Sequence, residues 1–564
     1  MKRIIPKGEQ SFVTLRKENL FYIDKTKFIK EWWRSRDRVT LMTRPRRFGK
    51  TLMLDTVKTF FSPDFASQSK LFIGLDIWQD EHLRRLQGTI PVIFLSFSDI
   101  KGKNYSETIQ LIKSLIVDIY TSFLPNLNTD DFLESELAQL SSIRQSMDDV
   151  TAQTALRYLA RYLARQYKTL PIILLDEYDT PMHEAWSQGY WHELVQFLRI
   201  FFNSTFKTNN WLERAIITGI TRISKESIFS DLNNINVVST TTNMYTDCFG
   251  FTEDEVFAAM DEYGLTAKQE VKNWYNGFIF GSQQGIYNPW SIINYLREKR
   301  FAPFWGQTSS NAIVGQLIGQ AAEDVKQETS ALLRGESIVT RLDEQIVFSQ
   351  LHTTPGAIWS FLMATGYVKP LHFDLANNTY EITLTNYEVH CIFENLISCW
   401  FNQSGAYGKQ FRQALMQDNL DAMNVFLQKI AASSFSFFDT SGNEPERFYH
   451  AFVLGLIVDL KGLYNIQSNR ESGYGRYDVM LLPLQADCHA IVIEFKTQRL
   501  PYESNLEETC THALRQIHEK HYINELLEQN IPAHNIYIYG FGFQGKKLLI
   551  RGGAQEKIDW HKIL

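Results

Sequence analysis

The sequence predicts a multidomain α/β protein with two separate α/β units, and three features lead there. At 564 residues the chain exceeds what one hydrophobic core organises, because single cores stop growing near ~250 to 300 residues; three or more domains are expected. Short, nearly continuous apolar runs at 39–43 (VTLMT), 91–97 (PVIFLSF), 171–177 (PIILLDE) and 214–220 (RAIITGI) are separated by long segments of helical spacing, among them 105–124 and 151–167. Strands buried on both faces and joined through helices make a parallel sheet. A second group of strand-like runs, 476–482, 490–496 and 535–543, follows near the C-terminus, with a helical segment over 506–528 between the last two.

The other elements follow in order. Arg44 and Pro45 close the run 39–43, and TLMLDTVKTFF then shows helical spacing, so the stretch reads as strand, loop, helix. From 252 to 340 the pattern is mainly helical. Between 360 and 389, FLMATGYVKPLHF and NNTYEITLTNYEV read as a helix and then a β-hairpin turning near Asn377 and Asn378, which fits a small winged-helix-like module. Helices resume from about 389 to 462, and no internal repeat is present.

Composition narrows the class. An apolar fraction of 44% with 21% charged residues, and no low-complexity tract, excludes a disordered chain. The five cysteines, Cys248, Cys391, Cys399, Cys488 and Cys510, form no CxxC pair and are odd in number, which suggests neither a zinc site nor a disulfide framework. The basic N-terminus leads into no apolar region, and no run approaches the ~18 apolar residues of a membrane span. The expectation is a soluble, cytoplasmic protein with no membrane partner. Net charge is only −6, yet residues 1–60 hold 16 Lys and Arg against 6 Asp and Glu, a local excess suited to phosphate or nucleic acid as well as to a solvated face.

Phe48-Gly49-Lys50-Thr51 falls between the first strand and helix. There a phosphate loop places a flexible glycine, a lysine for the β- and γ-phosphates and a hydroxyl for Mg²⁺. The first glycine of the pattern GxxxxGKS/T would fall on Arg44, and Pro45 beside it has no N–H to offer. Leu174-Leu175-Asp176-Glu177 supplies the complement: Asp176 can hold Mg²⁺ through water and Glu177 can orient the attacking water. Thr218-Gly219-Ile220-Thr221-Arg222, after the next apolar run, would bring a hydroxyl and the Arg222 cation near the γ-phosphate.

These segments, with Phe21-Tyr22-Ile23-Asp24-Lys25-Thr26, Thr43-Arg44-Pro45-Arg46-Arg47-Phe48-Gly49-Lys50-Thr51, Leu175-Asp176-Glu177-Tyr178-Asp179-Thr180-Pro181 and Gly219-Ile220-Thr221-Arg222-Ile223-Ser224-Lys225, resemble the AAA-ATPase-like proteins of bacteria whose C-terminus carries a PD-(D/E)XK nuclease domain. The likeness continues through Phe249-Gly250-Phe251-Thr252-Glu253, Trp274-Tyr275-Asn276-Gly277, Tyr287-Asn288-Pro289 and Thr365-Gly366-Tyr367. It implies an AAA-like P-loop domain over 1–251 with Arg46, Arg47, Phe48, Gly49, Lys50 and Thr51 around ATP, a helical lid and linker over 252–340, and a winged-helix-like module over 341–400. A helical lead-in with a restriction-endonuclease-like domain would occupy 401–564. In that family Arg in place of the first glycine is usual.

The nuclease chemistry can also be read from the residues. Gly473-Tyr474-Gly475-Arg476-Tyr477-Asp478 opens a strand, and Ala490-Ile491-Val492-Ile493-Glu494-Phe495-Lys496 forms the next. Glu494 and Lys496, two apart, share one face of a strand, with Phe495 on the other. Phosphodiester cleavage needs hard oxygen ligands for Mg²⁺ or Mn²⁺, which Asp478 and Glu494 supply, while Lys496 positions the water or offsets charge. By the resemblance, Glu446 would add an acidic ligand; Gln516 and Lys520, four apart on one helical face, would approach substrate phosphate. His450, His512, His518 and His521 match no zinc spacing and read as ordinary helix histidines.

Two functions follow. One is an enzyme in which ATP binding or hydrolysis regulates cleavage of nucleic acid, DNA in preference to RNA, as a monomer or homo-oligomer. The other is a nucleotide-gated binding or assembly protein whose C-terminal domain is a scaffold.

Overall fold

A computed structural model describes residues 2–130, 132–222, 232–307, 314–315, 317–318, 323–333, 335–343, 351, 355–402, 405–434, 446–457, 460, 462–472, 475–485, 488–499 and 502–563. The chain divides into two compact units, 1–308 with 339–389, and 309–338 with 390–564.

The first unit is built on five strands, β1 (Val39–Thr43), β2 (Val92–Ser96), β3 (Ile172–Asp176), β4 (Arg214–Gly219) and β5 (Ile235–Val238). They lie in the order β2-β3-β4-β1-β5 and every pairing is parallel. β1, β3 and β4 are buried along their whole length, which is why the sequence shows unbroken apolar runs there instead of alternation. Helix α1 (Lys50–Phe61) follows β1, and α2 (Tyr105–Phe123) and α3 (Asp149–Tyr167) occupy the two long helical segments expected from periodicity. Asn104 and Asp148 cap these two helices by accepting bonds from the N–H groups of Glu107 and Thr151. Helix α4 (Thr180–Gln188) leaves the C-terminal end of β3.

The segment after 252 departs from its helical expectation. Helices α5 (Glu253–Tyr263), α6 (Lys268–Tyr275) and α7 (Pro289–Glu298) are present, but β6 (Phe251–Thr252), β7 (Asn276–Phe280) and β8 (Gln283–Tyr287) form a small antiparallel sheet among them. Phe278, Phe280 and Ile286 turn inward together against Phe48. Two five-residue strands carry too few alternations to stand out from neighbouring helices in sequence. Helix α8 (Pro355–Thr365) and the hairpin of β9 (Val368–Asp374) with β10 (Thr379–Leu384) then form as read, with Asn378 at φ 51 in the turn.

The second unit places α9 (Gly405–Met416), α10 (Leu420–Ser434) and α11 (Glu446–Ile457) before a five-stranded sheet of β11 (Tyr464–Ser472), β12 (Gly475–Pro483), β13 (Ala490–Thr497), β14 (Ile536–Gln544) and β15 (Lys547–Ala554). Strand order follows the chain, with β13 and β14 parallel and the other pairs antiparallel. Helix α12 (Leu506–Glu519) is the crossover that a parallel pair requires. Ile491, Ile493 and Phe495 face a core shared with Phe452 and Val453 of α11, whereas Val492 faces Leu514 and Ile517 of α12. The sequence reading identifies β12, β13 and β14 and misses the two edges. β11 is rich in polar residues and β15 carries two glycines, so neither shows an apolar run. Among the described residues no helix is long and apolar enough to cross a membrane.

One buried acid makes the stability of the first unit depend on pH. Glu388 is 1% exposed and accepts bonds from Ser291 Oγ (2.7 Å) and the Trp305 N–H (2.8 Å). Burial pushes its carboxyl up to about 7. The folded state therefore binds a proton more tightly than the unfolded one, so the stabilisation is complete below the ordinary glutamate value and is lost as pH rises through about 7. Urea unfolding should show the wild type weakening by about 3 kcal/mol relative to Glu388→Gln between acidic and mildly alkaline pH. Parallel pH profiles for the two proteins would contradict this.

Candidate functional site

The loop between β1 and α1 is shaped by two left-handed residues, Arg47 at φ 67 and Gly49 at φ 80. Gly49 tolerates this without cost and is the N-cap of α1, whose first N–H groups are the free donors an anion meets at a helix start. Phe48 is turned inward onto the rings of Phe278 and Phe280 (centroids 4.8 and 5.3 Å), which fixes the loop to β7. The guanidinium of Arg47 lies over the ring of Trp290, 4.5 Å from its centroid, and the carbonyl of Arg46 accepts a bond from Asn288 Nδ2 at 3.3 Å.

Arg44 stands where a first loop glycine would be, and its side chain takes no part in a phosphate cradle. It is wholly buried and donates from Nη1 to the carbonyls of Thr43 (2.9 Å) and Ser239 (2.7 Å), with Nη2 directed at the carbonyl of Met244 (3.3 Å). The ring of Phe280 lies 4.6 Å below it. Burial draws its guanidinium down to about 9, and the carbonyl ring supplies the negative partial charge that a buried cation needs. Lys50 folds back into the loop, donating to the carbonyls of Arg44 (2.9 Å) and Pro45 (3.0 Å). Burial lowers the Lys50 ammonium, an effect opposed by the charges of Glu177, Asp176 and Asp179.

Asp176 ends β3 at 1% exposure, and its two oxygens are divided between neighbouring elements. Oδ2 accepts from Thr51 Oγ1 of α1 at 2.6 Å, and Oδ1 accepts from Thr218 Oγ1 of β4. The arrangement gathers a threonine hydroxyl, a carboxylate and a helix N-terminus at the C-terminal ends of parallel strands, where such sheets bind ligands. Thr51 and Asp176 fit a hard divalent cation, and the N–H groups of 49–51 fit phosphate. Glu177 is held at φ 52, outside the ordinary range for a residue with a side chain, and accepts from Thr180 Oγ1 at 3.1 Å.

Asp179 is a group the sequence reading did not single out. Its Oδ2 accepts from the N–H groups of Ile220 and Thr221 and from Thr221 Oγ1, all at 2.9 Å, and lies 3.5 Å from His183 Nε2. Burial alone would raise this carboxyl, but the bonds from His183, Thr221 and Ile220 outweigh it and hold it at about 2. Asp179 thereby ties α4 to the stretch leading to Arg222, which is half-buried just past β4. Ile223, Ser224 and Lys225 lie outside the described residues.

In the second unit the pairing of β12 with β13 matches Val479 to Ile493, so the next position out sets Asp478 opposite Glu494. Glu494 is 1% exposed, with Lys496 Nζ 3.4 Å from its Oε1. Gln516 Nε2 of α12 also donates to that Oε1 and lies 3.3 Å from the hydroxyl of Tyr522. Asp478 Oδ2 accepts from the Phe495 N–H at 2.8 Å, while the Phe495 ring turns into the opposite core, as the two-residue spacing requires. Burial, and then the charges of Glu494 and Asp478, push the Tyr522 phenol up to about 12, against a lowering bond from Gln516. Helix α12 can approach so closely because Gly540 faces it from β14, where a Cβ would lie 2.6 Å from the carbonyl of Cys510.

Asp478, Glu494, Lys496 and Gln516 thus come together, with Tyr522 joining them. Two carboxylates on adjacent strands with a lysine on the same face fit a divalent cation beside a phosphate. Lys520 lies at the exposed C-cap of α12. Glu446 begins α11, but its side chain lies outside the described residues, as do Gly473 and Tyr474. Among the described residues no group of three or more His, Cys, Asp or Glu side chains gathers as a metal cluster.

Comparison with known proteins agrees with this layout. Residues 6–229 match the family model described as Predicted AAA-ATPase, and residues 444–552 match that of the PD-(D/E)XK nuclease superfamily. A curated protein of Azotobacter chroococcum mcd 1, described as an uncharacterized protein in the vnfD 5' region, is 24% identical over 558 residues, covering 94% of this chain and 95% of its own. The chain therefore joins an AAA-ATPase-like domain to a PD-(D/E)XK nuclease-like domain.

The role of Arg44 can be tested by a substitution that keeps its charge. Lysine lacks the planar fork that spans several carbonyls, so Arg44→Lys should lower the stability of the first unit by about 3 kcal/mol in chemical denaturation. Wild-type stability in that variant would show that the charge alone suffices.

Proposed function

We propose that this protein binds ATP at the loop 46–51 and uses its binding or hydrolysis to regulate metal-dependent phosphodiester cleavage of nucleic acid at the cleft of Asp478, Glu494 and Lys496. The observation that carries this reading is the convergence of those three side chains with Gln516 at the end of the central strand pair of the sheet. A carboxylate as buried as Glu494, with a lysine beside it, is costly as mere structure and serves well as a preorganised ligand.

At the first site, Lys50 would exchange its loop carbonyls for the β- and γ-phosphate oxygens, and the N–H groups of Phe48, Gly49, Lys50 and Thr51 would orient the phosphate chain. Thr51 and Asp176 would hold Mg²⁺, Glu177 would align water, and Arg222 would face the charge that develops on the transferred group. Bound Mg²⁺ would neutralise the phosphates.

At the second site, Asp478 and Glu494 would hold Mg²⁺ or Mn²⁺, with Glu446 as a further acid. The metal would supply Lewis acidity toward the phosphoryl oxygen and a more acidic water. Lys496 would orient that water or offset charge on the phosphorane, and Gln516 would hold Glu494 in its ligating position. DNA is the substrate we favour over RNA.

The two sites are separable by mutation. Glu494→Ala should abolish Mg²⁺- or Mn²⁺-dependent cleavage of DNA and RNA, a loss of at least about a hundredfold, while binding a fluorescent ATP analogue as the wild type does. Lys50→Ala should lose the analogue. Cleavage that persists in Glu494→Ala would remove the second site from the mechanism.

A further inference from the structure

His512 reads as an ordinary helix histidine in sequence, yet its placement is unlike that of a solvated surface ring. Its Nδ1 lies 2.7 Å from Glu503 Oε1, and Glu503 is only 4% exposed. The other oxygen of Glu503 accepts from Thr509 Oγ1 (2.7 Å) and the Arg499 N–H (3.2 Å), and the Glu503 carbonyl accepts from Gln498 Nε2 (3.0 Å). Burial by itself would raise the Glu503 carboxyl, but the bonds from Thr509, Arg499 and His512 hold it below the ordinary range. The carboxylate is thus an acceptor locked on three sides, and it fixes the imidazole with Nδ1–H inward and Nε2 outward.

The helix and strand spacings set His512 beside the cleft. Gln516 of α12 meets Glu494, and His512 is one turn earlier on the same helical face, ~6 Å along the axis. From Glu494 to Lys496 the strand advances ~6.7 Å. The helix returns along the strand it follows, so one turn back from Gln516 is level with Lys496 and the residues 497–499 that end β13 and open the loop after it. Cys510 and Ala513 lie against Gly540 and Gly542 of β14, whereas His512 shares the side of the helix from which Gln516 reaches Glu494 of β13. Its side chain remains 45% exposed, open to whatever enters there.

We infer that His512 is a further substrate-binding residue of this cleft, binding as the imidazolium: Nδ1–H donates to Glu503, which holds the ring in place, and Nε2–H donates to a non-bridging oxygen of the nucleic-acid phosphate. The inference rests on the cleavage site proposed above, and it adds a contact to the substrate backbone on the far side of Lys496 from Glu494. A ring held at one nitrogen by a buried carboxylate binds phosphate without first ordering its own side chain, an advantage an exposed lysine lacks. The contact is to phosphate and carries no base preference.

The test compares wild type, His512→Ala and Glu503→Gln for binding of labelled DNA and RNA, single- and double-stranded, by fluorescence anisotropy across a salt series, and for cleavage with Mg²⁺ or Mn²⁺. For His512→Ala we expect binding about fivefold weaker on every sequence, a salt slope smaller by about one phosphate contact, and a raised KM with kcat within about twofold. Glu503→Gln should fall between, because an amide still accepts from Nδ1–H but holds the ring less firmly. Thermal unfolding of His512→Ala should fall only modestly, because the buried Glu503 loses one partner but keeps Thr509 Oγ1 and the Arg499 N–H, so the protein stays folded for the binding assay. An unchanged salt slope and KM in His512→Ala would overturn the inference, as would a complete loss of binding by the wild type. Binding weakened as expected in a protein that never cleaves would support the contact and defeat the cleavage reading instead.

Discussion

A charge taken out of water must be met by charge or by oriented dipoles, or it costs several kcal/mol. This protein buries charge at the ends of the central strands in both of its units, and the surrounding structure is arranged to meet it. In the first unit Arg44 is ringed by backbone carbonyls, Asp176 is divided between two threonines, and Asp179 collects two N–H groups and a hydroxyl. In the second, Glu494 is met by Lys496 and Gln516, and Glu503 by Thr509, His512 and an amide. The sets around Arg44, Asp176, Asp179 and Glu494 join separate elements, and the Glu503 set ties the loop after β13 to the start of α12, so the groups that position the chemistry also brace the fold around it.

This arrangement accounts for the phosphate loop's departure from the usual pattern. Where a glycine would let the backbone approach phosphate, Arg44 instead ties the start of the loop to the segment after β5 through carbonyl bonds. Lys50 rests on the carbonyls of Arg44 and Pro45. The loop is thus anchored at its first residue.

How much of this the sequence discloses depends on the residue. The buried parallel strands are legible because burial on both faces demands apolar runs, and Asp176 and Glu177 are legible because acids end such a run. Glu494 and Lys496 are legible from their two-residue spacing. The edges β11 and β15 are not, since edge strands need only one apolar face and tolerate polar residues and glycine. The pair β7 and β8 is hidden because its alternation is brief and its partner, Phe48, is 230 residues from Phe278. Asp179 resembles a helix-start residue until folding brings the N–H groups of Ile220 and Thr221 to it. His512 belongs to the same class: its meaning comes from Glu503, nine residues away across a loop, and no metal-ligand spacing could have marked it.

The central claim is that a nucleotide-binding unit controls a metal-dependent cleavage cleft in the same chain. Its most direct test is the rate of Mg²⁺-dependent nucleic-acid cleavage measured with and without ATP, in the wild type and in Lys50→Ala. The account predicts that ATP changes the wild-type rate and leaves the variant's rate unaltered. Cleavage that responds to ATP equally in both proteins, or in neither, would contradict it.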